Sequence, residues 1–379
     1  MQERTGYDVV LLATALILCV AGAIFVLSAS AVHSAVAYRG DAYAIFQSHV
    51  IRLLIGLAFM IAFSVIDYHV LGKMARVTWL LTFVALIVVL FLPQPNGATA
   101  HRWIYYRGFS FQPAELAKFA IISYLATRLA AFDADPFLAD RKKLYTGTLL
   151  IVGVTAGLVV IEPNLSMTLM ILVVAAMLFF VSGVSLKPIL SLGGICLVPL
   201  ALISWLTPYM QTRLTTYADA LFHPLRASYH VKQSLVGIGQ GGIAGVGLGA
   251  SMQKNFFLPE PFKDFIFSIV GEELGILGAL FVLAGFTIFI SRAWHISVNA
   301  PDRFGYYLGM GITLAIAVSV VVNIGVTLGL LPTTGQPLPF VSYGGSSLVM
   351  NLAAVGVLLN ISRQTQRQAA VHGSGYPYL

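Results

Sequence analysis

Charge is what this sequence has least of. Of 379 residues, 22 are Lys or Arg and 15 are Asp or Glu, so charged side chains make up 10% of the chain. Soluble domains carry roughly 25%. So sparse a supply cannot cover a globular surface in water, and the composition is that of a polytopic membrane protein. Cysteine is almost missing too. Cys19 and Cys196 both fall in apolar runs, which excludes a disulfide framework and any thiolate metal spacing. The net charge of +7 comes from basic residues scattered over the flanks of apolar runs. It does not point to nucleic acid, and no nucleic-acid partner is expected. A cleavable leader is not expected either: the first apolar run, from Asp8 to Val32, is longer than a signal-peptide core and lacks a convincing cleavage context.

What the chain has in abundance is apolar sequence, at 58% of residues. A spanning helix needs roughly 20 apolar residues. Ten runs qualify, near 8–32, 46–66, 73–92, 114–132, 144–161, 164–182, 187–208, 264–290, 304–331 and 347–363. They are too long for barrel strands. Only Glu162, Pro163 and Asn164 separate the fifth from the sixth, which predicts a tight helical hairpin. The expectation is an all-α polytopic membrane protein, one domain over 1–379, with about ten transmembrane helices and one long extracytoplasmic loop at 209–262. Lys and Arg set the orientation. With the N-terminus inside, the inner flanks hold twelve of them, Lys73, Arg128, Lys142 and Arg363 included, and the short outer loops hold Arg39, Arg102 and Arg107. Both termini are therefore expected in the cytoplasm.

Within the long loop, Leu235 to Gly249 carries glycine at 237, 239, 241, 242, 245, 247 and 249. The run reads as a flexible or tightly turned segment, or as backbone lying close to a ligand. It is not a dinucleotide fingerprint, since no strand precedes it. The pieces at 212–225 and 228–235 read as short amphipathic segments on the surface.

Four stretches carry candidate chemistry. In QKNFFLPEPFKDFIFSIVGEELG, residues 253–275, Asp264 follows two prolines and opens an apolar run. It is expected to cap that helix. The helix dipole would hold it ionised, as a metal ligand or a catalytic carboxylate, with Lys263 beside it. In NGATAHRWIYYRGFSFQPAELAK, residues 96–118, Arg102 and three aromatics form an outer loop or interfacial belt. Pro113 then starts a helix on which Glu115 and Lys118 share one face. An intramembrane pair of that kind marks a site or fixes packing. Glu162 sits at the outer hairpin turn. Finally, LPTTGQPLPFVSYGGSS, residues 331–347, has too much proline and glycine for a helix. It reads as an ordered turn or as a binding loop offering Ser342, Tyr343 and Ser346.

The segments QPAELAK, EPNLS, QSLVGIGQGGIAGVGLG, FFLPEPFKDFIFSIVGEELG and PLPFVSYGGSS occur in that order. Together they resemble the SEDS proteins (shape, elongation, division and sporulation) from about Asp8 to Arg363, and the division-type members more than the elongation-type. The resemblance implies ten transmembrane helices in the bacterial cytoplasmic membrane. It implies inverting glycosyl transfer on lipid II, an undecaprenyl-pyrophosphate-linked disaccharide peptide, during septal wall synthesis. It also implies a class B penicillin-binding protein and other divisome membrane proteins as partners. The family's essential aspartate maps onto Asp264, and its helix-four Glu and Lys onto Glu115 and Lys118. Three departures stand out. Phe262-Lys263 replaces a frequent His-Thr, Asn164 replaces an aspartate, and Gln336 replaces an apolar residue. On this reading Asp264 serves the acceptor hydroxyl directly or through a divalent cation, Mg or Mn. Arg102, Lys118 and Lys263 serve the pyrophosphate. A lipid II flippase and an elongation-type polymerase are the alternatives.

Overall fold

The computed structural model describes residues 6–93, 101–106, 109–134, 141–183, 194, 211–212, 215–219, 227–255 and 257–371. In chain order the elements are α1 (Val9–Ala37), α2 (Ala44–Val65), the short α3 (His69–Lys73), α4 (Ala75–Phe91), β1 (Ile104–Tyr106) and β2 (Phe109–Phe111). They continue with α5 (Pro113–Ala134), α6 (Arg141–Ile161), α7 (Leu165–Val181), α8 (Tyr229–Gly241), α9 (Ile266–Val298), α10 (Arg303–Thr327) and α11 (Gly345–Val371). Nine of the ten apolar runs coincide with helices. All of the run at 187–208 except residue 194, and most of 209–226, lie outside the described residues. By length and composition alone, α1, α2, α9, α10 and α11 can each cross a membrane.

Local chemistry sets several helix starts. Asp8 Oδ1 accepts from Leu11 N–H at 2.8 Å, and Asp302 Oδ1 accepts from Gly305 N–H at 2.9 Å. Asn164 Oδ1 accepts from Met167 N–H at 3.4 Å. These side chains satisfy amides that a helix start leaves unpaired. The expected hairpin is present: α6 ends at Ile161 and α7 begins at Leu165, with Asn164 as its cap.

α10 packs against α5, α7, α9 and α11, and α11 runs along α2. These inner helices are largely sheathed by the others, whereas α1, α2, α4 and α9 turn Ile17, Val20, Leu54, Phe59, Leu81 and Leu280 outward. Apolar side chains on the outside of a bundle suit lipid, not water. The polar contacts gather at two ends of the bundle. At the end where the chain begins, Arg292 pairs with Asp8 and Arg363 Nη1 donates to the Tyr7 hydroxyl at 3.2 Å. Gln364 donates to Asp67 at 3.0 Å, Tyr68 to Asp302, and Tyr307 to Asp133 at 2.7 Å. The candidate chemistry collects at the other end.

Candidate active site

Three segments meet at that end: the β1–β2 hairpin running into α5, the chain before α9, and the loop before α11. They enclose a cavity of about 270 Å³. Trp103, Tyr105, Ser110, Gln112 and Glu115 line it from the first segment, and Lys263 and Asp264 from the second. Gly335, Pro337, Tyr343, Gly344, Gly345 and Ser347 line it from the third. The hairpin itself was not foreseen. Its antiparallel strands are three residues each, with Ile104 opposite Phe111, too short for an alternation to register.

Asp264 is half-buried at the cavity wall. The sequence suggests that it caps α9, but the capping position falls on Phe265, and no side chain caps the helix. Asp264 is the residue just before that capping position. Its carboxylate Oδ2 lies 3.8 Å from where a Cβ on Gly335 would stand. Its backbone carbonyl is held by Asn323 of α10, whose amide donates at 3.0 Å to Asp264 O and at 2.8 Å to Gln336 O. Tyr343 N–H donates to Phe262 O at 2.9 Å. The loop before α9 and the loop before α11 are thus tied together by two independent contacts. Asn323 was missed in the sequence; its only signal is an amide buried in an apolar run.

The remaining expected site residues divide. Glu115 lines the cavity, and Lys118 sits behind it with Nζ 3.0 Å from Oε2; both side chains are 2% exposed. Lys263 lines the cavity but pairs with Glu260 at 2.5 Å on the outer side. Tyr343 lines it, with its hydroxyl accepting from Arg52 at 2.5 Å. Ser342 and Ser346 are not in the lining. Ser342 Oγ accepts from Leu338 N–H at 2.9 Å within its own loop, and Ser346 Oγ accepts from Gln112 N–H at 3.1 Å, joining the loop to the hairpin. Arg102 is not in the lining either. Its Nε donates to Glu162 O at 3.0 Å and a terminal nitrogen donates to Pro163 O. It clamps the α6–α7 turn from a distance of 60 residues in sequence.

The glycine-rich run is tightly turned, as one reading expected, only in its second half, where Gly242, Gly245, Gly247 and Gly249 have positive φ. Its first half is the helix α8, capped by Ser228 and anchored by Ser234 Oγ, which donates to Thr327 O at 2.7 Å. The second half invades α9. That helix is broken at Gly275, at φ +66°. The amides of Ile276 and Leu277, which in an unbroken helix would bond to the carbonyls of 272 and 273, donate instead to Gly242 O and Ile243 O at 3.0 and 3.3 Å. The carbonyls of Glu272 and Glu273 accept from Val246 and Gly247 N–H, each at 3.0 Å. These four backbone groups thus find replacement partners at the kink, as a low-dielectric setting demands. Glycine is required because a Cβ on Gly245 would lie 2.2 Å from Glu273 O. The acidic side chains at the kink hold the descending loop. Glu272 accepts from Ser251 Oγ at 2.5 Å and Met252 N–H at 2.8 Å, and Glu273 from Lys254 Nζ at 3.0 Å and Ser28 Oγ at 2.6 Å. They shape the approach to Asp264 and do not reach the cavity.

Glu162 is fully buried, and neither carboxyl oxygen has a hydrogen-bond partner among the described residues. Burial pushes its carboxyl up to about 8, against the opposing pull of the Arg102 guanidinium. The fold therefore prefers the protonated acid. Its contribution is fully present below the ordinary carboxyl range and is lost as pH rises from there through about 8. The loss runs at about 1.4 kcal/mol per pH unit. Glu162→Gln, close in shape to the protonated acid, should flatten the thermal midpoint between about pH 5 and pH 8. A wild-type midpoint that rises with pH over that interval, or a variant with the same slope, would show that Glu162 does not fold as the neutral acid.

The family model described as "Cell cycle protein", for FtsW, RodA and SpoVE, matches residues 8–367. A protein of Geobacter sp. strain M18, named a probable peptidoglycan glycosyltransferase FtsW, is 36% identical over 97% of this chain and 100% of its own. Stage V sporulation protein E of Bacillus subtilis is 35% identical over 96% of this chain and 99% of its own. Among solved structures, one described as the structural coordination of polymerization and crosslinking by a peptidoglycan synthase complex superposes with a TM-score of 0.74. It is 26% identical and covers 95% of this chain and 98% of its own. With its helix order, its hairpin at Glu162 and its cavity at Asp264, the chain belongs to the FtsW, RodA and SpoVE family, the SEDS membrane proteins.

Proposed function

We infer that this chain is a peptidoglycan glycosyltransferase that polymerises lipid II into glycan strands during septal wall synthesis. The observation that carries the reading is Asp264, half-buried on the wall of a cavity at one end of an apolar bundle, where a loop meets the start of α9. The reaction joins the 4-hydroxyl of one lipid-linked disaccharide to the anomeric carbon of another. Asp264 takes the hydroxyl proton as general base. The lipid diphosphate leaves with the electron pair of the broken carbon–oxygen bond. It needs neutralising charge and no proton, so a second acid of the glycosidase kind is not required. Glu115, fixed by Lys118, supports the opposite wall and orients the sugar.

A divalent ion, Mg or Mn, has a thin donor set here. No cluster of three or more His, Cys, Asp or Glu occurs among the described residues, and Glu115 is taken by Lys118. Asp264 is the protein ligand on offer. One carboxylate completed by substrate phosphates is the pattern Mg accepts. Such an ion would neutralise the departing diphosphate.

The cavity end is assigned to the outer face of the bacterial cytoplasmic membrane, with both termini inside. Lys73, Arg76, Arg292, Arg303 and Arg363 belong to the opposite end, as the positive-inside tendency requires. The partner is a class B penicillin-binding protein that crosslinks the strands, within an assembly of divisome membrane proteins. The decisive experiment gives the purified chain labelled lipid II in detergent and looks for glycan polymer. Polymer made without any partner separates an enzyme from a flippase or a scaffold, and its absence in the presence of the transpeptidase would defeat the reading. Cysteines placed singly at exposed Lys232 and Lys73, in a chain lacking Cys19 and Cys196, report the orientation on spheroplasts. An impermeant thiol reagent should label 232 and spare 73.

A further inference from the structure

Among the described residues, three cations stand at or beside the cavity. Lys263 is paired with Glu260 at 2.5 Å and Lys118 with Glu115 at 3.0 Å. The third is Arg52, in the third turn of α2, inside an apolar run. It has no carboxylate partner among the described residues. Its Nη1 donates to the Tyr343 hydroxyl at 2.5 Å and to Ser48 O at 3.4 Å, and the guanidinium carbon lies 5.1 Å from the centroid of the Tyr343 ring. Those contacts use one nitrogen. The other two, Nε and Nη2, donate to nothing among the described residues. Nε lies 3.6 Å from where a Cβ on Gly345 would stand, and Ser110 Oγ lies 3.4 Å from the same point. Tyr343, Gly345 and Ser110 all line the cavity.

A guanidinium within a membrane span is costly and is kept for a partner. Its Nε–Nη2 edge is a flat pair of donors that matches two phosphate oxygens. Beside that edge α11 begins at Gly345, so the positive end of a 27-residue helix faces the same gap. Asp264 borders the lining at Gly335 and Arg52 borders it at Gly345. One cavity thus has a carboxylate at one place and, at another, a cation with no carboxylate partner among the described residues.

We propose that Arg52 is a substrate-binding residue that grips the diphosphate of the lipid-linked donor through its Nε–Nη2 edge, with Gly345 left bare to admit it. This rests on the glycosyltransferase reading. As the anomeric carbon–oxygen bond breaks, the pair of electrons stays on the diphosphate oxygen facing Arg52, and the acceptor proton goes to Asp264. Tyr343 holds the guanidinium edge-on to the gap.

The test reads binding without turnover, by calorimetry on the full chain in detergent, with farnesyl diphosphate, farnesol and inorganic pyrophosphate as probes. Arg52→Gln should weaken farnesyl diphosphate at least tenfold and leave farnesol within twofold. Arg52→Lys keeps the charge without the fork and should fall between. Gly345→Ala places a methyl at ordinary contact distance from Ser110 and Arg52, so it should fold normally and still weaken the diphosphate. Inorganic pyrophosphate should bind the wild type at least tenfold more weakly than farnesyl diphosphate. Equal affinity for the two would mean a free-anion site and overturn the lipid assignment. Unchanged diphosphate affinity in Arg52→Gln and Gly345→Ala, or equal losses for farnesol, would overturn the role of Arg52. A chain that binds diphosphate through Arg52 yet polymerises nothing would defeat the glycosyltransferase reading and leave this one standing.

Discussion

Asp264→Asn should abolish lipid II polymerisation and leave the folded bundle as stable as the wild type. The two halves of that expectation rest on different atoms. Stability at this position is expected from the backbone: the Asp264 carbonyl accepts from Asn323, and the capping position of the helix that follows is Phe265, not Asp264. An amide of nearly the same volume leaves those contacts in place. Activity rests on the carboxylate, which an amide cannot replace as a proton acceptor. A positioned general base contributes about 10²–10⁴-fold, so the variant should lose at least that much in polymer formed per unit time, with its thermal midpoint unchanged. The same loss accompanied by a fall in midpoint would mark Asp264 as structural. Near-normal polymer from a folded variant would remove it from the mechanism. Asn323→Ala offers a contrast. It frees the backbone of Asp264 and Gln336 together, so it should lower activity and stability in step.

The helices were readable because lipid demands long apolar runs, and the hairpin because Glu162-Pro163-Asn164 interrupts one. The site was readable where the signal is local. Glu115 and Lys118 are three residues apart on a helix opened by proline, and Asp264 stands where a loop rich in proline meets an apolar run. What failed to show is whatever depends on a partner distant in sequence. Nothing near Arg102 says that its guanidinium will hold the Glu162 and Pro163 carbonyls instead of a diphosphate. Nothing near Ser342 or Ser346 says that their hydroxyls answer backbone amides. The glycine run is meaningful only against Gly275, whose kink opens the bonds that residues 242–247 fill. Arg52 and Asn323 are different. Each is a polar group inside an apolar run, a visible anomaly whose direction across the bundle only packing reveals.

Glu115 and Lys118 give the second large effect, and it separates structure from function in a way that a single substitution cannot. Both side chains are 2% exposed, with Nζ and Oε2 at 3.0 Å. Removing one member leaves a buried charge with no counter-charge, which costs about 3–5 kcal/mol. Glu115→Ala and Lys118→Ala should therefore each lower the unfolding midpoint steeply. The double variant removes both charges, and replacing a buried pair with apolar groups is often close to neutral. Its midpoint should return most of the way, so the coupling energy in the cycle should be at least as large as one single loss, about 3–5 kcal/mol. Activity should not follow it back. Glu115 stands on the cavity wall and Lys118 does not, so the double variant restores the bundle while leaving an alanine where the substrate meets a carboxylate. A stable double variant that polymerises at the wild-type rate would reduce the pair to a packing device. Additive losses in the two single variants would show that the charges do not depend on each other. Recovery of stability without recovery of turnover is the outcome that makes the pair a preorganised wall of the site, with Lys118 holding Glu115 in place and Glu115 facing the sugar.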